Sequence, residues 1–337
     1  MIIQLKPEVQ NQQVEDLINY LNGIRFTTKE VKTQKGAYLI AIGEGEFDIR
    51  AIGFMDAVSD IHVVSDDYKL VSGKWKVDAT EIDLGDGVTI KQGDLALMAG
   101  PCSIEGEEQI INTVQHLKDA GIRIMRGGVY KPRSSPYSFR GMGIEGLRLW
   151  HDIALKNGIK IISEVMQVSQ IEEMYDYIDI FQVGARNTQN YNLLDELGKV
   201  DKPVMIKRGI SGTIDELLYS AEYVFSGGNE KLLLCERGIR TYEKASRNTF
   251  DINAIPILKE KSHLPVIADP SHGIGIRDHV PPIALASVLA GADGVIYEAH
   301  RDPRKAFSDG QQTLNFNQSL DLANNLRQVM KMRLEMQ

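Results

Sequence analysis

Between Ala120 and Ile144 the chain carries five cations, Arg123, Arg126, Lys131, Arg133 and Arg140, and no carboxylate. Two prolines and a cluster of serines and glycines in "GGVYKPRSSPYSFRG" mark much of this stretch as loop. Positive charge without a local counter-ion suits the binding of oxyanions. Arg grips carboxylate or phosphate through two parallel N–H bonds, and Lys acts as a point charge. Further along, the ends of short apolar runs repeat the theme. Cys102, Arg126, Glu164, Arg186, Lys207, Glu236, Arg237, Asp269, His272, Glu298 and His300 all stand at or just beyond such ends. One reading is a ring of mutual ion pairs. The other is a ligand site, because an unpaired buried charge costs several kcal/mol unless something answers it.

The runs themselves are "LALMAG", "IRIMRGG", "IKIISEV", "IDIFQVGA", "PVMIKRG", "KLLLCERG", "LPVIADP" and "GVIYEAH", with helix-like segments between successive pairs. Near-continuous apolar strands separated by helices imply a parallel sheet covered on both faces. Eight strand–helix units spread over about 240 residues fit an α/β fold of the (β/α)8 barrel type, typically ~250 residues long. A doubly wound sheet is the alternative, although nothing like GxGxxG follows the first strand. In a barrel, the strand ends and following loops form the active face. Cys102, His272 and Glu298 end strands 1, 7 and 8, which become neighbours on closure, and Asp309 lies in the loop "AFSDGQQ" after strand 8. A thiol, an imidazole and two carboxylates make a mixed donor set for a first-row divalent ion. Arg126, Lys131, Arg186, Lys207 and Arg237 come from strands 2, 4, 5 and 6 and would converge on one small, multiply charged anion. Arg133 and Ser134 in "KPRSS" offer a second anion site. Cys235 has no evident ligand partner and reads as core.

Residues 1–70 alternate differently. The strand "IIQLK", the helical "VEDLINYLNG", the strands "RFTTKEVKT" and "AYLIAIGE", a helix over 47–58 and the strand "IHVVS" give the order of a ferredoxin-like split βαβ unit. Residues 71–93 read as a connector with a hairpin at "GDG", and the barrel occupies 94–337. With 43% hydrophobic and 25% charged residues, the 337-residue chain has an ordinary globular composition. A net charge of −8 argues against a nucleic-acid binder. No segment approaches the ~18 apolar residues of a membrane span, no signal peptide is evident, and two cysteines are no disulfide framework. A cytoplasmic protein is expected.

Taken in order, "AGPCSIEG", "RGGVYKPRSSPYSFRG", "QVGARN", "IKRG", "LCERG" and "DPSH" resemble the type I 3-deoxy-D-arabino-heptulosonate 7-phosphate (DAHP) synthases, across the whole barrel. The leading unit resembles, by topology, the ferredoxin-like or ACT-like extension of one subgroup. The resemblance implies condensation of phosphoenolpyruvate (PEP) with erythrose 4-phosphate to give DAHP and phosphate, at the entry to the shikimate pathway and aromatic amino acid biosynthesis. It further implies a divalent metal such as Mn, Fe, Co or Zn on Cys102, His272, Glu298 and Asp309, and PEP on Arg126, Lys131, Arg186, Lys207 and Arg237. Arg133 and Ser134 would take the aldose phosphate; the family loop is commonly KPRT, and serine keeps the hydroxyl. Lys131 and Glu164 are the catalytic candidates, for protonating the new alkoxide and for orienting or deprotonating water. A homo-oligomer, tetramer or dimer, inhibited by tyrosine or phenylalanine is also implied. The alternatives are a 3-deoxy-D-manno-octulosonate 8-phosphate synthase using arabinose 5-phosphate, from which "KPRS" differs, and a non-catalytic metabolite sensor.

Overall fold

The computed structural model describes residues 1–76, 78–131 and 137–336. The chain opens with β1 (Ile2–Leu5), α1 (Asn11–Gly23), β2 (Phe26–Lys32), β3 (Ala37–Gly43), α2 (Ile49–Gly53) and β4 (Val58–His62). These strands form one antiparallel sheet in the order β2-β3-β1-β4, the arrangement expected of a split βαβ unit. Val14, Leu17 and Leu21, spaced by three and four, give α1 a buried stripe over Ile3, Leu5, Leu39 and Ala41. Two elements differ from expectation. The second helix is five residues rather than twelve: Asp48 caps it by accepting from the Arg50 amide, and Gly53 ends it, leaving Phe54 exposed. The closing strand begins at Val58 rather than Ile61, because pairing of Leu5 with Val58 and Ile2 with His62 sets its register.

Two short strands follow, β5 (Glu81–Asp83) and β6 (Thr89–Lys91), paired as a hairpin. Its turn places Gly85, Asp86 and Gly87 at positive φ, a conformation that glycine and aspartate tolerate best. Next come β7 (Ala96–Gly100), α3 (Glu107–Asp119), β8 (Ile124–Gly127), α4 (Gly143–Lys156), β9 (Lys160–Val165), α5 (Ser169–Met174), β10 (Ile180–Val183) and α6 (Tyr191–Leu197). The chain ends with β11 (Val204–Lys207), α7 (Ile214–Ser226), β12 (Leu232–Glu236), α8 (Ala254–Lys261), β13 (Val266–Ala268), α9 (Pro270–Ile274), α10 (Val280–Leu289), β14 (Gly294–Glu298) and α11 (Phe316–Met336). Strands β7 to β14 are parallel and close into an eight-stranded barrel, with β14 beside β7.

Side-chain alternation explains the unbroken apolar runs. Met98, Ile124, Ile162, Ile180, Met205, Leu233, Cys235, Ile267 and Ile296 fill the barrel interior. Their neighbours, such as Leu97, Met125, Ile161, Phe181, Ile206, Leu234 and Tyr297, pack outward against the helices. Ile82, Val88 and Ile90 of the hairpin join the inner cluster. Asp86 at the hairpin tip accepts from Lys160 at 2.9 Å, at the start of β9, so the hairpin closes the floor of the barrel. The leading unit rests on the barrel's outside: Thr33 donates to buried Glu230 at 2.9 Å, and the Trp75 ring lies 5.3 Å from Tyr38 and 5.9 Å from His263. Among the described residues, no helix is long and apolar enough to cross a membrane.

Candidate active site

Each strand carries its inward-facing apolar residue one pleat below the mouth, and the next inward position, two residues on, is usually polar. Ile124 is followed in this way by Arg126, Ile162 by Glu164, Ile180 by Gln182, Met205 by Lys207, Cys235 by Arg237, Ile267 by Asp269 and Ile296 by Glu298. The period of two in a strand therefore puts the polar residues in one layer. That layer opens onto a cleft of about 190 Å³ lined by Arg126, Lys131, Glu164, Gln182, Arg186, Lys207, Arg237, His272 and Asp309, among others. Six of these, Arg126, Lys131, Glu164, Arg186, Lys207 and Arg237, are the anion-binding or catalytic candidates of the sequence, His272 and Asp309 are two of its metal candidates, and Gln182 is new. Arg133 and Ser134 lie outside the described residues.

The four cation-binding candidates stand together. The Cys102 thiol is 3.2 Å from Asp309 Oδ2, and ligand atoms of Cys102, Glu298 and Asp309 all lie within 4.8 Å of one another. His272 Nε2 points into the same group, 3.3 Å from Glu298 Oε1 and 4.0 Å from Asp309 Oδ2. Glu298 ends β14, Cys102 follows β7, His272 lies in α9 just beyond β13, and Asp309 comes from a loop at φ +51°, a left-handed conformation that non-glycine residues rarely adopt. Thr313 fixes that turn by donating its hydroxyl to the Asp309 carbonyl at 2.8 Å. Burial pushes the Cys102 thiol up to about 11, with Lys131 opposing and Glu298 and Asp309 adding to the rise. Burial also works to raise Asp309, but His272, Arg247 and the bond from Cys102 outweigh it and bring its carboxyl down to about 2. His272 is lowered chiefly by burial, against the pull of Asp269 and Glu298.

Around this group the cations are held by specific partners. Arg126 donates to the Pro101 carbonyl at 2.8 Å and to Glu298 Oε1 at 3.2 Å. Lys131 donates to the Cys102 carbonyl at 2.9 Å and folds over Gly128, where a β-carbon would stand 2.7 Å from its Cδ. Lys207 pairs with Asp269, and Arg237 donates to the His272 carbonyl at 3.3 Å. Glu164 leans across Gly184, where a β-carbon would lie 2.0 Å from its Oε1; the glycine of "VGARN" makes room for that carboxylate. Two strand-end residues turn elsewhere. Glu236 is buried against Arg208 at 2.9 Å, and His300 sits 3.3 Å from Glu105, outside the cleft.

Two arginines of the cleft were not foreseen. Arg240 and Arg247 lie on the two arms of a short hairpin after β12, joined where Ile239 pairs with Thr249. One arm is tied down by the Arg240 amide donating to Ile210, the other by the Arg247 amide donating to Ile274. The Arg247 guanidinium reaches Asp309 Oδ1 at 3.4 Å. The signal available was the basic stretch "GIRTYEKASRN" in a long loop at the active end of the barrel.

A closed eight-stranded barrel whose mouth gathers many cations beside a cluster of metal-type donors defines a (β/α)8 enzyme acting on small anionic substrates. The chain belongs to the DAHP synthetase I family, which it matches over residues 75–335. It is 41% identical, over 98% of its length and 97% of the relative's, to a phospho-2-dehydro-3-deoxyheptonate aldolase of Thermotoga maritima. A 2-dehydro-3-deoxyphosphooctonate aldolase of Syntrophobacter fumaroxidans is 31% identical over 72% of this chain and 90% of its own. The crystal structure of the Thermotoga maritima phospho-2-dehydro-3-deoxyheptonate aldolase (DAHP synthase) superposes with a TM-score of 0.79 at 40% identity, covering 98% of this chain and 97% of that one. A truncated form of the 3-deoxy-D-arabino-heptulosonate 7-phosphate synthase from the same organism gives a TM-score of 0.74 at 43% identity, over 79% of this chain and 97% of that one.

Proposed function

We propose that this enzyme condenses PEP with erythrose 4-phosphate to give DAHP and inorganic phosphate. The observation that carries the reading is the opening of the cationic cleft directly onto the Cys102–His272–Glu298–Asp309 group. That group fits a divalent metal by its chemistry. Two carboxylates and a thiol crowded within a few ångströms repel one another when ionised, and a thiol pushed up to about 11 by burial becomes a thiolate only when a cation is there to meet it. Bound there, an ion such as Mn, Fe, Co or Zn supplies Lewis-acid polarisation of the aldose carbonyl.

The chain's own residues do the rest. Arg126, Lys131, Arg186, Lys207 and Arg237 hold the carboxylate and phosphate of PEP, and Arg133 with Ser134 holds the aldose phosphate. The methylene carbon of PEP forms a bond to the aldehyde carbon, and positive charge develops at C2 of PEP. Lys131 delivers a proton to the new alkoxide. Glu164, on the neighbouring strand β9, orients water and takes its proton as the water oxygen bonds to C2. The tetrahedral phosphohemiketal then expels phosphate by C–O cleavage, with Arg186 and Arg237 stabilising the leaving group.

Residues 1–70 act in this reading as a sensor for tyrosine or phenylalanine, in a dimer or tetramer. Its support is their ferredoxin-like topology and their seat on the barrel at Glu230 and Trp75. Phosphate release from PEP should require erythrose 4-phosphate and cease with chelator. Faster release with arabinose 5-phosphate would assign the enzyme to the octulosonate-forming reaction instead. Removal of residues 1–70 should abolish inhibition by the aromatic acid; inhibition that persists would place the effector site elsewhere.

A further inference from the structure

Asp269 stands at the end of β13 and caps α9, and the reaction outlined above leaves it without a part. Its carboxylate is buried between two residues that line the same cleft, His272 beside the cation group and Lys207 among the cations. Oδ2 accepts from Lys207 Nζ and from His272 Nδ1, the latter at 2.8 Å. Oδ1 accepts from the His272 backbone amide at 3.1 Å and lies at the same distance from Nδ1. An ionised carboxylate only accepts, so Nδ1 of His272 carries a proton, and Nε2 faces Glu298 and Asp309. Lys207, bonded to the same Oδ2, lines the cleft together with Arg126, Arg186 and Arg237. One oxygen atom therefore serves an imidazole aimed at the cation group and an ammonium aimed at the anion pocket.

We propose that Asp269 is a positioning residue that couples the two halves of the site. It fixes the tautomer and orientation of His272, and it divides its charge between His272 and Lys207. When an anion engages Lys207, the ammonium's charge is shared with that anion, and more of the Asp269 charge acts on His272 and on a cation beyond it. Linkage makes the effect reciprocal: a divalent ion at His272 favours the anion at Lys207. The identities of ion and anion rest on the function proposed above; the double partnership of Asp269 does not.

Asp269→Asn tests this in the full-length protein stripped of metal. The amide carries no charge and sets an NH2 donor where one carboxylate oxygen accepts, so the substitution should loosen His272 and leave Lys207 without its counter-ion. Mn²⁺ affinity, titrated without substrates, should fall by about 10- to 100-fold, the usual effect of losing an outer partner of a ligating histidine. Affinity for PEP without metal, and for inorganic phosphate as a second anion probe, should rise by about threefold or more as Lys207 is released. The tightening of Mn²⁺ by PEP, expected on the order of tenfold in the unaltered protein, should shrink to the part due to direct attraction. Opposite shifts for cation and anion support the coupling. Parallel losses of both, with a lowered melting temperature, would reveal a structural role only and overturn it, as would an unchanged Mn²⁺ affinity. Should the variant not fold, ¹⁵N correlation spectra of the His272 ring in the unaltered metal-free protein decide the point: a proton on Nδ1 is required, and a ring protonated on Nε2 alone refutes the proposal. Absence of turnover with erythrose 4-phosphate would count against the function and leave these affinities to judge Asp269 alone.

Discussion

The floor and the mouth of the barrel are built on the same eight strands yet satisfy opposite demands. At the floor, Ile82, Val88 and Ile90 of the hairpin close over Met98, Ile124, Ile180 and Ile296, and the imidazole of His263, buried beside the connector, has both ring nitrogens paired. His263 Nε2 bonds the Leu70 carbonyl at 2.8 Å and must donate, so Nδ1 accepts from the Thr80 hydroxyl at 2.7 Å. At the mouth, charges are bunched and share partners. Asp269 serves two cations' worth of donors, and Glu298 accepts from both Arg126 and Gln312 while facing His272. Stability is served by closing every polar group locally; binding is served by leaving charge that a ligand completes.

The largest break in this contrast should come from Cys102→Ala. It removes one donor from the cation group and should abolish divalent-ion binding, with kcat down on the order of a thousandfold, the equivalent of several kcal/mol in the barrier. Metal titration and turnover check it, and full activity without metal would remove the scheme. Arg208→Met should act on stability instead. Glu236 and Asp251, 2.9 and 2.8 Å from Arg208, would lose their counter-ion, at a cost of about 3–5 kcal/mol in denaturant unfolding. Ile90→Ala opens a cavity at the floor; a loss of about 2–5 kcal/mol with kcat essentially unchanged is expected. A fall in kcat beyond about twofold, well under 1 kcal/mol of barrier, would show that floor and mouth are not independent.

The last test of the contrast is a pH dependence at the floor. Burial, reinforced by Lys76, lowers His263 from 6.5 to about 3. The folded state thus keeps it neutral while the unfolded chain protonates it. Its contribution to stability is complete above pH 6.5 and is lost as pH falls from 6.5 towards 3. His263→Gln should lack this component, so the difference in urea midpoint between variant and unaltered protein should narrow as the solution is acidified through that window. A constant difference would mean that His263 is protonated in the fold.

Much of the barrel was legible because strand periodicity is local: an apolar run of the right length, with a charge two residues beyond its inner side chain, is written in consecutive positions such as Ile267 and Asp269 or Ile296 and Glu298. The leading unit was read less closely at α2 and β4, where Asp48, Gly53 and the pairing of β4 with β1 overrode the apolar pattern. By itself the sequence determined which elements form, which residues each strand presents at its end, and the surplus of cations among them. Only the tertiary structure decided which of those residues meet. Barrel closure brings β14 beside β7 and so Glu298 beside Cys102; a positive-φ turn swings Asp309 to the same place; a hairpin carries Arg240 and Arg247 over the cleft; and Asp269 lies between Lys207 and His272. The physical reason is range. Helix and strand patterns arise from neighbours a few residues apart, whereas a charged site forms between segments far apart in the chain, such as Cys102 and Asp309, 207 residues apart, and exists only once the chain has closed on itself.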